Sequence, residues 1–353
     1  MAVSIKDIAR LAGVSHSTVS RALRGSPLIP ADTALRIQRI ASETGYTASA
    51  IARSLVTRKT HVIGIVVTTI ADPFNGEVVA EIEETANQHG YSVILANSQA
   101  ESERELTVAR LFQEQRVDGI IVASSRVGAL YQPLLVEIDI PLVLLNNQHP
   151  SKFIHSVSID NYVGALEATR HLLALGHRRI AYVGDNFGLD SDIERFRGFR
   201  KAMSSAGLSF SPESIVRGDG KPERAAKESR ALFALKSRPT AIFCYNDMSA
   251  LGVMKEAARH GLRVPEHLSV AGFDDLFFAE LLSPALTTVR QPKRELGRRA
   301  MQLLLDVLAG NPIKPTIRVK GELIVRDSTA PPTRRSGPGK TRSLSPRNTA
   351  GSL

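Results

Sequence analysis

Short apolar runs alternate with amphipathic segments between residues 61 and 330. The runs are rich in valine and isoleucine, as strands are, and they read "HVIGIVVTT", "YSVILANS", "VDGIIVASS", "IPLVLLNN", "RRIAYVGD", "TAIFCYND" and "HLSVAGFDD". Intervening segments such as "GEVVAEIEETANQHG" have helical periodicity and end at a glycine. This order favours an α/β fold with parallel sheets covered by helices, and the number of strands indicates two lobes. Ligands in such folds bind beyond the carboxyl ends of the strands, so polar residues there are the candidates for a binding site.

The first 60 residues carry a different pattern, that of three short helices. Ser4 and Asp7 have capping-box spacing, an apolar face follows, and Gly13 ends the first helix. Ser15 can cap a second helix, and "ADTALRIQRIASETG" forms a third helical pattern. Two short helices joined by a tight glycine turn and braced by a third predict a helix-turn-helix head.

The second helix separates its residues into two faces. Val19, Ala22 and Leu23 share a packing face, and the opposite face is polar. Small polar side chains let a helix approach the floor of the DNA major groove, and one arginine can donate two hydrogen bonds to a guanine. An ordinary solvated helix face is the alternative. The predicted DNA-contacting residues of the head are Ser4, Ser15, His16, Ser17, Thr18, Ser20 and Arg21.

The net charge of +10 is concentrated at the two ends of the chain. Nine basic and three acidic residues give +6 to residues 1–60, and five basic residues without an acidic one give +5 to residues 331–353. The 31 basic and 32 acidic residues of 61–330 then give −1, and the three values sum to +10. A basic head on a near-neutral body is typical of a sensor with a polyanion-binding module.

Other features argue against export, membrane insertion and catalysis. The single cysteine, Cys244, excludes an internal disulfide and fits a reducing compartment. We expect no signal peptide, no membrane span, no cofactor and no metal, and a cytoplasmic location. Glycine loops for phosphates, a nucleophile elbow and metal-ligand histidine spacing are all missing, so we predict a binding protein and not an enzyme. A solute-binding protein or a sugar-processing enzyme remains the alternative.

Long motifs resemble one known family. "SIKDIARLAGVSHSTVSRALRG" is similar to the head of the lactose-repressor (LacI) family, and "GYTASAIARSLVTRKT" to its hinge segment. "RVDGIIV", "ERFRGF", "YNDMSALGVMKEAARHGLRVPEHLSVAGFDD" and "SPALTTVRQP" resemble its periplasmic-binding-protein-like core. The resemblance implies a repressor that binds a near-palindromic DNA operator as a homodimer, under control of a small-molecule effector such as a sugar or related metabolite. An activator, or a repressor that needs a corepressor, is the alternative within the family.

The resemblance also implies a domain plan and the roles of the hinge. We expect a head at 1–48, a hinge helix at 49–60, two lobes within 61–328 and a disordered basic tail at 329–353. The first lobe would comprise 61–160 with 290–320, and the second 161–289. In the hinge, Ser49 can cap the helix, Ala52 allows two hinge helices to approach, and Leu55 is the wedge between central base pairs.

Seven residues match effector positions of the family. They are Phe74, Asn75, Asn146, Ser191, Arg195, Asn246 and Asp274. A carboxylate, amides and a guanidinium at strand ends suit a molecule with several hydroxyls or with a charged group. Arg195 in a surface ion pair, and Asn246 and Asp274 as helix caps, are the alternatives. Several relatives place an aromatic side chain where this chain has Gly220, so the ring platform is either missing or supplied elsewhere.

Overall fold

The computed structural model describes residues 3–46, 59–99, 101–123, 140–146, 155–314 and 316–333. Within them a three-helix head is followed by two parallel sheets covered by helices. This architecture confirms the predicted fold class.

The head consists of α1 (Ile5–Ala12), α2 (His16–Leu23) and α3 (Ala31–Glu43). Ser4 and Asp7 form the predicted capping box, because the Ser4 hydroxyl accepts from the Asp7 amide and the Asp7 carboxylate accepts from the Ser4 amide. Gly13 closes α1 at φ 62°, a left-handed conformation that glycine adopts at little cost. The three helices pack on a small core of Ile8, Ala9, Ala12, Val19, Ala22 and Ile37.

The first lobe is built on a six-stranded parallel sheet in the order β11-β5-β4-β3-β1-β2. Its strands are β1 (Val62–Val67), β2 (Ser92–Asn97), β3 (Gly119–Ala123), β4 (Leu142–Leu145), β5 (Ser156–Ile159) and β11 (Thr316–Val319). Its helices are α4 (Pro73–Gln88), α5 (Ser102–Glu114) and α10 (Lys293–Ala309). The core side chains of α4 and α10 pack with those of β1, β3 and β4, so both helices lie on one face of the sheet.

The second lobe is built on a four-stranded parallel sheet in the order β7-β6-β8-β9. Its strands are β6 (Ile180–Asp185), β7 (Ile215–Gly218), β8 (Ala241–Cys244) and β9 (Ser269–Ala271). Its helices are α6 (Asn161–Ala174), α7 (Asp190–Ser205), α8 (Pro222–Ala234) and α9 (Asp247–Arg259). Gly198 and Gly252 have no room for a side chain, since a Cβ would overlap the carbonyls of Tyr162 and Pro222, and so these glycines let α6 meet α7 and α8 meet α9.

The chain crosses between the lobes three times. The crossings follow β5, β10 (Thr288–Arg290) and β11, and β10 pairs antiparallel with β12 (Glu322–Ile324). Few crossings at one side of a cleft are the arrangement that allows two lobes to move about a hinge.

Residues 329–333 contact the second lobe, although the sequence predicted a disordered tail from residue 329 onward. Thr329 is hydrogen-bonded to His171 at 2.9 Å, the Ala330 carbonyl lies 2.9 Å from His177 Nε2, and Thr333 donates to the Glu266 carbonyl. The prediction of disorder is therefore wrong for these residues. The physical reason is long-range packing, because histidine nitrogens of the second lobe take their hydrogen-bond partners from this segment.

Candidate functional site

The polar face of α2 is presented to solvent. His16, Ser17 and Arg21 are exposed, whereas Thr18 and Ser20 are half-buried. Ser15 caps the helix through its hydroxyl, which accepts from the Thr18 amide at 3.1 Å. The same oxygen lies 2.7 Å from Ser17 Oγ and 2.9 Å from Thr18 Oγ1. A hydrogen-bonded group of three hydroxyls therefore forms the start of this helix.

Arg21 projects from α2 without an internal partner. Among residues 3–46 its guanidinium forms no ion pair or hydrogen bond, whereas Arg24 in the next turn donates from Nε to the Ser20 carbonyl at 3.1 Å. The exposed guanidinium of Arg21 is therefore not engaged by other groups of residues 3–46 and remains available for contacts outside the head. Ser49, Ala52 and Leu55, the predicted hinge residues, lie outside the described residues.

A cavity of about 590 Å³ lies between the two lobes. Loops that follow the carboxyl ends of strands form its walls: 68–74, 97–99 and Asn146 in the first lobe, and 185–191, 219–223, 245–248 and Asp274 in the second. Its location follows the general rule for open α/β sheets. Six of the seven predicted effector residues line it, namely Phe74, Asn146, Ser191, Arg195, Asn246 and Asp274.

Arg195 is anchored from several directions. Its guanidinium carbon lies 3.7 Å from the Phe273 ring centroid and 4.7 Å from that of Tyr245. Nε donates to Asn161 at 2.9 Å and Nη1 to the Tyr245 carbonyl at 2.6 Å. The Asp274 carboxylate is 3.7 Å away, and only 4% of the arginine is exposed. Arg195 is therefore a buried, firmly held cation and not a member of a surface ion pair, the alternative considered from the sequence.

Asp274 is a buried carboxylate at a strained corner. Its backbone φ is 122°, in the region that favours glycine, and such strain concentrates at functional sites. Burial raises the pKa of Asp274 to about 6, although the neighbouring Arg195 opposes the rise. Gln291 Nε2 donates to its Oδ1 at 2.6 Å. The carboxylate faces the cavity and is not a helix cap.

Asn246 caps a helix and also lines the cavity. Its Oδ1 accepts from the Ser249 amide at 2.8 Å and so caps α9, and its Nδ2 donates to the Gly220 carbonyl at 3.0 Å. The next residue, Asp247, is fully buried beneath the cavity wall, where it accepts from Thr288 Oγ1 and the Leu276 amide. Burial raises the pKa of Asp247 well above its usual value. Asn246 lines the cavity while Asp247 holds the structure behind it.

Asn75 is the one predicted effector residue that is not among those lining the cavity, and its contact with an effector stays a prediction. It lies in the first turn of α4 and is 2% exposed, and its Nδ2 donates to the Thr69 carbonyl at 2.9 Å. The amide nitrogen of this side chain therefore fixes the loop that forms the wall. Phe74, its neighbour, is 8% exposed and belongs both to the wall and to the lobe core.

Several lining residues were missed by sequence reasoning. Asp185 ends β6 and Tyr245 follows β8, so the strand-end rule alone would have identified both. Burial raises the pKa of Tyr245 to about 12, and its hydroxyl lies 3.1 Å from Ser191 Oγ. Phe187, 48% exposed, gives the second lobe an aromatic wall residue, whereas Gly220 offers no side chain to the cavity. Gln291 enters from the second crossing, which no local pattern predicts.

Two other kinds of site find no support in the part of the chain that is described. No described helix is both long and apolar enough to span a membrane. No three His, Cys, Asp or Glu side chains converge there into a possible metal site.

Comparisons with known proteins agree with this architecture. Residues 4–49 match the family model "Bacterial regulatory proteins, lacI family", and residues 169–329 match a "Periplasmic binding protein-like domain". The repressor PurR of Photobacterium profundum is 34% identical over 92% of this chain and 98% of its own length. The repressor CytR of Escherichia coli is 35% identical over 93% of this chain and 96% of its own.

Solved structures give the same result. A Lac repressor dimer bound to operator and the anti-inducer ONPF aligns with a TM-score of 0.84 and 26% identity, over 94% of this chain and all of that one. A CelR–cellobiose complex aligns with a TM-score of 0.69 and 26% identity, over 92% of this chain and 99% of that one. A helix-turn-helix head on a two-lobed body with a polar cleft defines a DNA-binding protein that also binds a small ligand. The chain belongs to the LacI family, as its motifs predicted.

Proposed function

We propose that the protein is a homodimeric transcriptional repressor that binds a near-palindromic operator and is controlled by a small molecule bound between its lobes. The observation that carries this proposal is the presence, in one chain, of an exposed recognition helix with a free arginine and a polar interlobe cavity. Matches to named repressors over more than nine-tenths of the chain support it.

Sequence would be read by the start and middle of α2. Arg21 contacts a guanine edge, and His16 and Ser17 reach neighbouring bases. The hydroxyls around Ser15, with Ser4 at the start of α1, contact phosphates and fix the orientation of the head. In the hinge, Ser49 caps the helix, Ala52 permits close helix pairing and Leu55 opens the minor groove, as the family resemblance implies.

The effector would be held by residues from both lobes. The six cavity-lining candidates remain our assignment, with Phe74 and Asn146 in the first lobe and the others in the second. We retain the lobe limits expected from the sequence, 61–160 with 290–320 and 161–289. A sugar or related metabolite is the expected effector, and the CelR–cellobiose complex is a precedent with the same fold.

A buried lysine offers a route from the cavity to the first lobe. Lys293, at the start of α10, donates from Nζ to the carbonyls of Asp274 at 3.2 Å and Asp275 at 2.6 Å. The same ammonium lies 3.4 Å from the Glu77 carboxylate on α4. A shift of the Asp274 corner on effector binding would therefore move groups attached to α4 and α10. Coupling follows only if the effector binds the two arrangements with different affinity.

An exposed apolar surface on the second lobe supports the homodimer. Phe277 and Leu281, in the segment after β9, are 64% and 72% exposed, and Phe277 packs edge-on against Phe278. In the first lobe, the edge strand β2 exposes Ile94 and Leu95. Clustered exposed apolar side chains of this kind mark protein contacts, and a two-fold dimer buries the same surface on both subunits.

The named relatives are repressors, which supports binding without catalysis and a cytoplasmic location where operator DNA is accessible.

The direct test is selection of bound sites from a random duplex pool by the full chain at two salt concentrations. Recovery of one two-fold-symmetric site that persists at the higher salt supports the proposal. Binding without selectivity that is lost at the higher salt contradicts it.

A further inference from the structure

We infer that the cavity selects an uncharged, hydroxyl-bearing ring compound, a free sugar or nucleoside, and discriminates against its phosphate ester. This inference rests on the proposed role of the cavity as the effector site. It decides between the two ligand classes that the residue types alone leave open, a molecule with several hydroxyls and a charged one.

The charge of the described walls disfavours an anion. Five carboxylates line the cavity, and only two cations, Arg195 and Lys221, accompany them. The carboxylates are Asp72, Asp185, Asp219, Glu223 and Asp274. A phosphate in a partly desolvated site with this balance meets like charge, which opposes its binding.

The two cations are poorly placed to offset that repulsion. Arg195 is nearly buried, and its guanidinium is already committed to Asn161, the Tyr245 carbonyl and the Asp274 carboxylate. Lys221 is exposed at the rim, where solvent and salt screen its charge. A phosphate-binding pocket needs unpaired cations or clustered amide donors directed at the anion.

The cavity instead presents acceptors that require donors. Gln291 is 3% exposed and its Nε2 is used by Asp274, yet its Oε1 is buried and has no hydrogen-bond partner among the described residues. A buried acceptor of this kind is normally satisfied, and the remaining partner would come from the ligand. Hydroxyl or amino groups of a sugar or nucleoside can donate to Gln291 and Asp274, whereas a fully ionised phosphate cannot.

Aromatic rings and size fit a cyclic ligand. Phe74 from the first lobe and Phe187 from the second both belong to the walls, so each lobe offers an aromatic ring to a ligand. Aromatic faces stack against sugar faces and planar bases. The volume of about 590 Å³ lies within the range of small-molecule sites and accommodates a disaccharide or a nucleoside.

The test measures binding of matched neutral and phosphorylated probes by calorimetry on the full chain without DNA. The sugar pairs are ribose with ribose 5-phosphate and glucose with glucose 6-phosphate, with cellobiose added. The nucleoside pairs are adenosine and uridine with their 5′-monophosphates. We expect at least one neutral probe to bind about ten-fold or more tightly than its ester, and the series in which this occurs identifies the ligand as sugar or nucleoside. An ester that binds as tightly as its neutral partner, or more tightly, overturns the inference.

Two variants test whether charge is the cause. Asp274→Asn and Glu223→Gln each remove one wall charge at nearly constant volume. Each should reduce, several-fold, the ratio of the neutral probe's affinity to the affinity of its phosphate ester. Glu266→Gln makes the same charge change outside the cavity walls and should leave the ratio unchanged. Glu223 is exposed, so its variant folds even where the buried Asp274 variant does not. An unchanged ratio in the folded variants refutes the electrostatic argument.

The protein carries no tryptophan, so Phe187→Trp creates a single reporter in the cavity wall. A neutral probe that binds in the cavity should shift the emission of this indole. Failure of every probe to bind, in a protein that still selects its operator, refutes the ligand class and leaves the DNA-binding function intact. Binding of neutral probes by a protein that selects no operator refutes only the repressor function.

Discussion

Replacing Arg21 by alanine tests how the head reads DNA. The guanidinium has no internal partner among residues 3–46, so its removal leaves no buried group unpaired and should change head stability by less than about 0.5 kcal/mol. Loss of one bidentate base contact costs about 1–3 kcal/mol. A dimer makes this contact in each half-site, so the symmetric operator should bind with about 2–6 kcal/mol less free energy, roughly 30-fold to 2 × 10⁴-fold more weakly.

The assay is fluorescence anisotropy with the selected operator and with single-base variants at each position. Wild-type protein should discriminate strongly at one symmetric pair of positions, and Arg21→Ala should lose discrimination at that pair only. Arg39→Ala is the matched control, because Arg39 is an exposed arginine of α3 whose loss changes the head charge equally. Uniform weakening on all sequences, with the salt slope reduced by about one per arginine, would identify a phosphate contact and refute the base-reading role.

Three further predictions address other parts of the molecule. Leu55→Ala should weaken specific binding and lessen operator bending in a gel-phasing assay, whereas unchanged bending would remove the wedge assignment. Leu281→Asp should shift the dimer to monomer in sedimentation velocity, because it places a charge on the exposed apolar surface; an unchanged dimer would locate the interface elsewhere. Asp274 has a pKa of about 6 in the folded protein, above the usual 3.8, so the folded state takes up a proton at higher pH than the unfolded chain does. The free energy of unfolding contributed by this group therefore falls as the pH rises from about 4 to 6. The free energy of unfolding, measured by urea denaturation across this pH range, should fall less in Asp274→Asn than in the wild-type protein. Identical pH slopes for the two proteins would contradict the assignment.

The features predictable from sequence are those set by local spacing. The capping box of Ser4 and Asp7 and the cap at Ser15 depend on side chains within three residues of one another, and both form as expected. The strand-end rule and the family motifs likewise placed Arg195, Asn246 and Asp274 on the cavity wall, because parallel strands bring their carboxyl ends to one edge.

The features that escaped prediction depend on long-range packing. Asn75 follows Phe74 directly, yet the helical turn directs the phenylalanine to the wall and the asparagine to the Thr69 carbonyl. Gln291 reaches the cavity through a crossing 17 residues after Asp274, and no periodicity in the sequence predicts its hydrogen bond to that residue. Residues 329–333 have the sequence of a polar tail, but the Ala330 carbonyl forms a hydrogen bond with the ring of the buried His177.

The most direct test of the whole account is the linkage between cavity and operator. Operator affinity would be measured with and without a low-molecular-weight cell extract, for wild-type protein, Phe187→Ala in the cavity wall and Ile193→Ala as a similarly exposed control. We predict that the extract changes wild-type and Ile193→Ala affinity by about 5-fold to 150-fold and changes Phe187→Ala affinity much less. A decrease identifies an inducer and an increase a corepressor. An extract that leaves wild-type affinity unchanged, or alters all three proteins equally, would contradict control of DNA binding through this cavity.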